Sequence, residues 1–163
     1  MLLEVKRSKR YAYPVTMLIV ALDHLDRFLA KESSPEFQRS AIRSEALSAV
    51  SELLRDIDVA MPFAEDKYLL FLPHTARDGA LIVAQRVVQR LGGLNAFAKG
   101  TASCGVATFD PSIDPKATVS FGGLVKDATQ ALKRAQDAGG GRLEAAAMPV
   151  APTKPKRSRI SMG

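Results

Sequence analysis

Apolar runs and helical periodicities alternate along this chain and predict its elements. Residues Pro14 to Leu22 form an almost wholly apolar run, which predicts a central strand covered on both faces. Ser34 and Pro35 mark a helix start, with serine as N-cap and proline in the first turn. The helix that follows has apolar residues close to the 3.6-residue period, at Phe37, Ile42, Ala46, Val50, Leu53 and Ile57.

The rest of the chain predicts four further strands and two further helices. Two short strands joined by a tight turn are predicted over about 58–63 and 68–73. They are followed by a helix at about 76–91, a strand at about 101–109, a helix at about 121–138 and an edge strand at about 142–146. This order predicts an α/β (α+β) fold, the split βαβ arrangement of ferredoxin-like folds and nucleotide-cyclase palms, in which helices flank a mostly antiparallel sheet. Such a fold hosts many activities and does not by itself give a function.

Length and composition fit a single globular domain. A chain of 163 residues is one domain by length, and its apolar fraction of 47% is ordinary. No window approaches the ~18 consecutive apolar residues of a membrane span, so we expect no membrane insertion. The first ten residues do not resemble a signal peptide, because their basic residues follow the short apolar stretch. Cys104 is the only cysteine, so we expect a buried thiol, no internal disulfide and a cytoplasmic location.

The net charge of +6 is concentrated near the two ends of the chain. Residues 148–163 form a basic tail with few large apolar groups and no periodicity, which we predict to be disordered. This tail is either solvated or makes a weak electrostatic contact with nucleic acid or an acidic partner. Nucleic-acid binding by the domain itself is disfavoured, since aromatic residues make up only 6% of the chain and no stacking platform is visible.

One motif covers the end of the first long helix and the turn of the predicted hairpin. The run Arg55-Asp56-Ile57-Asp58 is followed, after five residues, by Ala64-Glu65-Asp66-Lys67-Tyr68. It resembles the active site of the GGDEF family, the bacterial diguanylate cyclases, in which an Arg-x-x-Asp pair stands at the same distance before a Gly-Gly-Asp/Glu-Glu-Phe hairpin. That hairpin helps to make cyclic di-GMP, and the pair binds it. This chain keeps the pair and the spacing but has a degenerate hairpin.

Further segments extend the resemblance over most of the chain. They are Arg10-Tyr11-x-x-Pro14, Leu70-x-Leu72-Pro73-x-Thr75, Ser103-Cys104-Gly105-Val106-Ala107 and the last helix with its glycine turn, Leu124 to Gly141. The signature that opens the family domain is missing, so we expect residue 1 to lie within the preceding linker helix of a longer protein. The resemblance implies a degenerate GGDEF domain over residues 1–147.

The resemblance also implies that cyclase chemistry is lost. Two family carboxylates that hold the catalytic metal ions align with Ala21, which has no ligand atom, and with Asp66, which is retained. Three of the hairpin positions carry unsuitable side chains, Ala64, Glu65 and Lys67. The positions that bind guanine and phosphate align with Leu29, Ser44, Gln136 and Gly140. We therefore expect no catalytic residue, no metal site, no cofactor and no cyclase activity.

The product-binding site, in contrast, is implied to be intact. In the family, a second arginine on the helix after the hairpin joins the pair, and it aligns with Arg86. A guanidinium matches the O6 and N7 acceptors of guanine and can stack on the base, while an aspartate accepts from guanine N–H groups. Arg55, Asp58 and Arg86 are thus the candidate site for cyclic di-GMP. We predict a receptor that signals by ligand-driven homodimerisation or by packing against other domains or a protein partner.

Other interpretations stay open at this stage. Arg-x-x-Asp is a loose pattern that recurs at Arg134 and Asp137, where it fits a solvated helix pair, and Arg55 could equally be an exposed charge at a helix end. The domain could instead be a nucleotide-independent docking or dimerisation scaffold. GTP sensing is disfavoured by the lost guanine and phosphate contacts. The remaining candidates have ordinary explanations, as loop residues or helix N-terminal charges: His24, His74, Asp23 and Asp26.

Overall fold

The computed structural model describes residues 1–64 and 66–148. Glu65 and the predicted disordered tail from residue 149 onward lie outside the described residues. The elements, in chain order, are α1 (Leu2–Tyr11), β1 (Val15–Leu22), α2 (Leu25–Leu29), α3 (Pro35–Glu52), β2 (Val59–Ala64), β3 (Lys67–Pro73), α4 (Arg77–Leu91), β4 (Ala102–Phe109), α5 (Phe121–Asp137) and β5 (Leu143–Ala145).

The strands form one five-stranded sheet in the order β2-β3-β1-β4-β5. β1 lies at the centre, antiparallel to both β3 and β4, and all eight of its residues are buried. β2 pairs antiparallel with β3, and the short edge strand β5 pairs parallel with β4. The first four strands therefore have the order and directions of a ferredoxin-like sheet, which confirms the predicted fold class.

Helices cover both faces of the sheet. Side chains of β1 alternate between the two faces, so each face carries an apolar core. Leu18, Val20 and Leu22 pack in the core beneath α3 and α4. Val15, Met17 and Ile19 pack in a second core with residues of α1 and α5. The approach of α5 to β4 depends on Gly105, where an added Cβ would lie 2.0 Å from the carbonyl oxygen of Ala128.

The structure corrects the predicted extent of the first long helix. α3 begins at Pro35 after Ser34, as predicted, but it ends at Glu52, so Leu53 and Ile57 lie beyond it. Phe37 also departs from the predicted buried face, since it is 74% exposed. The buried face of α3 is thus narrower than the periodicity suggested and consists of Ile42, Ala46, Ala49 and Val50.

One short helix could not be predicted from periodicity. α2 has five residues, too few to show a helical repeat. α1 is a helix of ten residues, and its assignment to a preceding linker stays a prediction. Across residues 1–64 and 66–148, every helix is too short or too polar to cross a membrane.

Candidate functional site

Asp66, the retained hairpin carboxylate, is bound by two arginines of α3. Arg39 donates from Nη1 to Asp66 Oδ2, and Arg43 Nη2 lies 3.4 Å from Asp66 Oδ1. The Asp66 backbone has a φ of 63°, a left-handed conformation that aspartate tolerates. Hydrogen bonds to Asp66, which has the larger effect, and to Asp26 raise the pKa of the Arg39 guanidinium. Both oxygens of Asp66 are therefore already engaged inside the protein.

The β1 side of the same corner offers no free carboxylate among the described residues. Ala21 is buried opposite Lys67 in the β1–β3 pairing. Asp23, two residues on, is buried and accepts from Thr101 Oγ1 at 2.8 Å, Ser103 Oγ at 2.9 Å and the Gly141 amide at 2.8 Å. Asp23 thus ties β1 to β4 and to the glycine turn, and its interpretation as a helix N-terminal charge was wrong.

Asp26 does lie in the first turn of α2, as expected, where it forms an ion pair with Arg39 at 2.7 Å. Taken together, the donor set at this corner does not fit the pair of magnesium ions that a cyclase needs. Ala21 has no ligand atom, Asp66 is neutralised by arginines, and Asp23 is saturated with hydrogen bonds.

The structure places the residues aligned with the family's guanine and phosphate contacts in different surroundings. Leu29 is buried in the core beneath α3 and α4. Ser44 lines an open cleft of about 480 Å³ whose other walls include Leu47 and Phe63. Gly140 has a φ of 74°, and an added Cβ would lie 2.8 Å from Asp23 Oδ2, so a larger side chain would be strained there.

Arg55 and Asp58, predicted as a binding pair, are in direct contact in the turn between α3 and β2. Arg55 donates to the Asp58 carboxylate from Nε at 3.2 Å, from Nη2 at 2.9 Å and from its backbone amide at 2.8 Å. The hydrogen bonds to Asp58 raise the pKa of Arg55. The Arg55 side chain is 52% exposed, whereas that of Asp58 is 3% exposed. The pair therefore presents its cation to solvent and buries its anion.

Arg55 is held from a second side by the loop that follows β3. Its Nη2 also donates to the carbonyl oxygen of Pro73 at 2.8 Å and to Thr75 Oγ1 at 2.6 Å. Within the part of the chain that the structure describes, Nη1 makes no hydrogen bond. The role of Thr75 was missed by sequence reasoning, although the Leu-x-Leu-Pro-x-Thr segment that contains it was recognised.

Arg86, the third predicted member, is exposed on α4. One turn further along the helix, Arg90 forms an ion pair with Glu52 at 2.7 Å. Residues four apart share a helix face, so Arg86 lies on the same face of α4 as Arg90. This face reaches the end of α3 at Glu52, which is three residues before Arg55. The structure shows no hydrogen bond from Arg86 to Arg55 or Asp58 in the described residues.

The remaining sequence candidates have structural roles. Arg134 donates to the carbonyl oxygen of Ala145 on β5 and forms no ion pair with Asp137 within residues 1–64 and 66–148, so the second Arg-x-x-Asp differs from the first. The ring of His74 stacks on Tyr13, with centroids 3.8 Å apart. His24 is an exposed residue with a left-handed backbone just before α2. Cys104 is buried, as expected, and burial raises the pKa of its thiol.

Comparison with known proteins places the fold. No protein-family model matches the sequence, and no curated protein is similar to it by sequence. Among solved structures, the active GGEEF domain of a diguanylate cyclase from Vibrio cholerae superposes with a TM-score of 0.73 at 13% identity, over 90% of this chain and 91% of that chain. The fold is that of a GGDEF domain.

Two further GGDEF-fold structures extend the comparison to bound partners. The coiled coil and GGDEF domain of DgcB from Caulobacter crescentus, in complex with c-di-GMP, has a TM-score of 0.76 at 13% identity, over 89% of this chain and 76% of that chain. The diguanylate cyclase SiaD from Pseudomonas aeruginosa, in complex with its activator SiaC, has a TM-score of 0.75 at 22% identity, over 88% of this chain and 54% of that chain. At these identities the likeness extends to the fold and not to the function.

Proposed function

We propose that this GGDEF-fold domain is a catalytically inactive receptor for cyclic di-GMP, which it binds through Arg55, Asp58 and Arg86. The observation that carries the proposal is the half-exposed Arg55 guanidinium, oriented by three acceptor residues with Nη1 left available. A fixed guanidinium is suited to the O6 and N7 edge of guanine or to a phosphate. In this arrangement Arg55 contacts the ligand, Asp58 holds Arg55, and Arg86 adds a second cation from α4.

Catalytic inactivity is supported by the electrostatics of the hairpin corner. Joining two GTP molecules requires metal ions to neutralise the triphosphates. Here the one retained carboxylate, Asp66, is bound by Arg39 and Arg43, while Ala21 contributes no ligand atom. Lys67 stands where the family has another carboxylate. Among the described residues, the domain therefore lacks the anionic site that would concentrate magnesium.

Signalling would follow from ligand-driven association in the cytoplasm. Cyclic di-GMP carries two phosphates and two guanines, so one ligand or a stacked pair offers acceptors to arginines of two domains. Binding that is tighter in the associated state shifts the equilibrium towards a homodimer, or towards packing against another domain or protein partner. The ligand acts through its differential affinity for the two states.

Isothermal titration calorimetry tests this function. Cyclic di-GMP and GTP are titrated in parallel into the unmodified chain, Arg55→Ala, Arg55→Lys and, as a matched control from the other Arg-x-x-Asp, Arg134→Ala. We expect binding of cyclic di-GMP but not GTP, a loss of about 100-fold in Arg55→Ala, and no change in Arg134→Ala. Arg55→Lys keeps a cation beside the buried Asp58, so it separates loss of the guanidinium fork from loss of folding.

Three results would contradict the proposal. They are no heat with cyclic di-GMP in the unmodified chain, unchanged binding in both Arg55 variants, and formation of cyclic di-GMP when the chain is incubated with GTP and magnesium. The first two results would overturn the proposed binding site, and the third would overturn the proposed lack of cyclase activity.

The alternative function, a nucleotide-independent docking scaffold, is favoured by one observation. Val59, Met61 and Phe63 belong to the edge strand β2 and are 39%, 37% and 41% exposed. Three partly exposed large apolar side chains on one edge strand are more than a solvent-facing strand needs. Absence of binding to both nucleotides would make this the better account.

A further inference from the structure

We propose that Thr75 is a positioning residue for ligand binding, because its hydroxyl fixes the direction in which the Arg55 guanidinium points. This inference rests on the proposed cyclic di-GMP site and assigns a role to a residue outside the Arg-x-x-Asp pair and Arg86.

The hydroxyl of Thr75 both accepts a hydrogen bond and donates one. It accepts from Arg55 Nη2 at 2.6 Å and donates to the carbonyl oxygen of Pro73 at 3.2 Å, which itself accepts from the same Nη2 at 2.8 Å. Asp58 Oδ1 is the third acceptor of that nitrogen, at 2.9 Å. Nη2 has two hydrogens for these three acceptors, so one hydrogen is shared between two of them. Together the acceptors direct that end of the fork inward, and Nη1 makes no hydrogen bond within the described residues.

Asp58 alone would not fix this orientation. The carboxylate lies three residues from Arg55 on the same turn, so the pair can move together as the turn moves. Pro73 and Thr75 belong to a different part of the chain, at the end of β3, and their contacts tie the turn to the sheet. Pro73 and Thr75 therefore anchor the Arg55 guanidinium to the sheet, and Thr75 is the one of the two that does so through its side chain.

Thr75 is itself held firmly. It is buried, and its carbonyl oxygen accepts from Thr16 Oγ1 of the central strand at 2.8 Å. Thr16 Oγ1 also pairs with Thr108 Oγ1 of β4 at 2.9 Å. On the other side of the loop, His74 stacks on Tyr13. An acceptor that is immobile before the ligand arrives reduces the entropy lost when Arg55 is ordered on binding.

The substitution Thr75→Val isolates the hydroxyl, because valine has nearly the same shape but no hydrogen-bonding group. Thr75→Ser restores the hydroxyl and is the rescue variant. Thr108→Val removes a hydroxyl from the far end of the same chain of threonines and leaves the contacts of Thr75 with Arg55 and Pro73 in place, so it is the matched control.

Calorimetry with cyclic di-GMP and urea unfolding are measured for all four proteins. We expect Thr75→Val to bind about tenfold more weakly, Thr75→Ser to bind within about threefold of the unmodified chain, and Thr108→Val to be unchanged. The Arg55 Nε–Hε resonance, recorded without ligand, should shift in Thr75→Val and return in Thr75→Ser. This resonance reports the surroundings of the Arg55 side chain in the folded protein, so it responds to a change in how Arg55 is held and not to a loss of stability that leaves the chain folded.

The outcomes separate the two proposals. If the unmodified chain binds but Thr75→Val binds equally well, or if Thr75→Ser is as weak as Thr75→Val, the positioning role is overturned and the receptor function stands. If the unmodified chain does not bind cyclic di-GMP at all, the receptor function is overturned, and with it the role of Thr75 in binding.

Discussion

Two clusters of arginine and aspartate flank β2 along the chain, one in the turn before the strand and one at the hairpin after it. They differ in which charge faces solvent. At the hairpin, Asp66 is the centre, and Arg39 and Arg43 engage both of its oxygens. In the turn before β2, Arg55 is the centre: it covers Asp58 and remains half exposed. An aspartate whose two oxygens are both engaged by arginines is poorly suited to binding a metal ion. A cluster with its anion buried and its cation exposed can still bind an anionic ligand or the acceptor edge of a base.

The difference also assigns the two clusters to different tasks. Arg39 and Asp66 are both largely shielded from water, so their interaction contributes to the stability of the hairpin. Arg55 is exposed enough that its ion pair with Asp58 is weakened by solvent screening, and a pair of this kind typically contributes no more than about 1 kcal/mol. We therefore expect substitutions at the hairpin to change stability and substitutions around Arg55 to change binding.

The strongest test of this division is Asp66→Asn. Asparagine tolerates the left-handed backbone of this position but cannot neutralise Arg39 and Arg43. We expect the free energy of unfolding to fall by about 2 kcal/mol, because asparagine keeps one acceptor oxygen but loses the other and the negative charge, while the affinity for cyclic di-GMP stays unchanged. Urea unfolding and calorimetry measure the two quantities on the same preparation.

Asp26→Asn is the matched control for that experiment, since Asp26 pairs with the same Arg39 but its side chain is 87% exposed. Its loss should cost less than about 0.5 kcal/mol. If Asp66→Asn were as stable as Asp26→Asn, or if it weakened cyclic di-GMP binding, the hairpin cluster would not be the purely structural element described above.

Arg86→Ala tests the proposed binding site around Arg55. Arg86 lies on α4 without an ion pair in the described residues, so its removal should hardly affect stability. If it supplies the second cation of the site, affinity for cyclic di-GMP should fall about tenfold, less than for Arg55→Ala. Arg90→Ala is the control, because it removes the same charge one turn away on the same helix face, where Arg90 is paired with Glu52. Equal effects of the two variants would indicate a general charge effect and not a specific contact.

Much of the fold could be predicted because its signals are local. The unbroken apolar run of β1 predicts a strand buried on both faces, and β1 is the centre of the sheet. α2 gave no such signal because five residues do not complete enough turns. Ile57 fits the helical period by position alone, but α3 ends at Glu52, and what ends a helix depends on contacts that periodicity does not contain.

Of the candidate site, the sequence could indicate only local features. Arg55 and Asp58 are three residues apart, and the resemblance singled out both, while their role in binding stays a prediction. The partners of Asp66 are not local, since Arg39 and Arg43 lie 23 or more residues away and meet it only in the folded chain. The same reason explains Asp23, whose partners Thr101, Ser103 and Gly141 lie 78 to 118 residues further on. A motif shows which carboxylate the chain retains, but not which side chains or backbone amides bind that carboxylate in the folded protein.

The pH dependence of stability tests how completely the hairpin cluster is closed to water. Tyr68, the last hairpin position, is buried beside it and donates to the carbonyl oxygen of Arg43. Burial raises the pKa of Tyr68 to about 12 from an ordinary value of 10.0, against an opposing effect of the Arg43 charge and with a smaller contribution from Asp66. The unfolded chain therefore loses this proton at lower pH than the folded chain, so the stabilisation is complete below about pH 10 and is lost between about pH 10 and pH 12.

Urea unfolding at pH 9 and pH 11 measures this loss as a difference between the chain with Tyr68 and the variant Tyr68→Phe, which has no phenol to ionise. Both proteins carry Tyr13→Phe, because the pKa of Tyr13 is also raised to about 12 and its ionisation would add to the loss. Between the two pH values, we expect the free energy of unfolding to fall by about 1 kcal/mol more in the protein with Tyr68 than in Tyr68→Phe. Parallel losses in the two proteins would mean that water reaches Tyr68 in solution, and the hairpin cluster would then be more open to ligands than its enclosed Asp66 suggests.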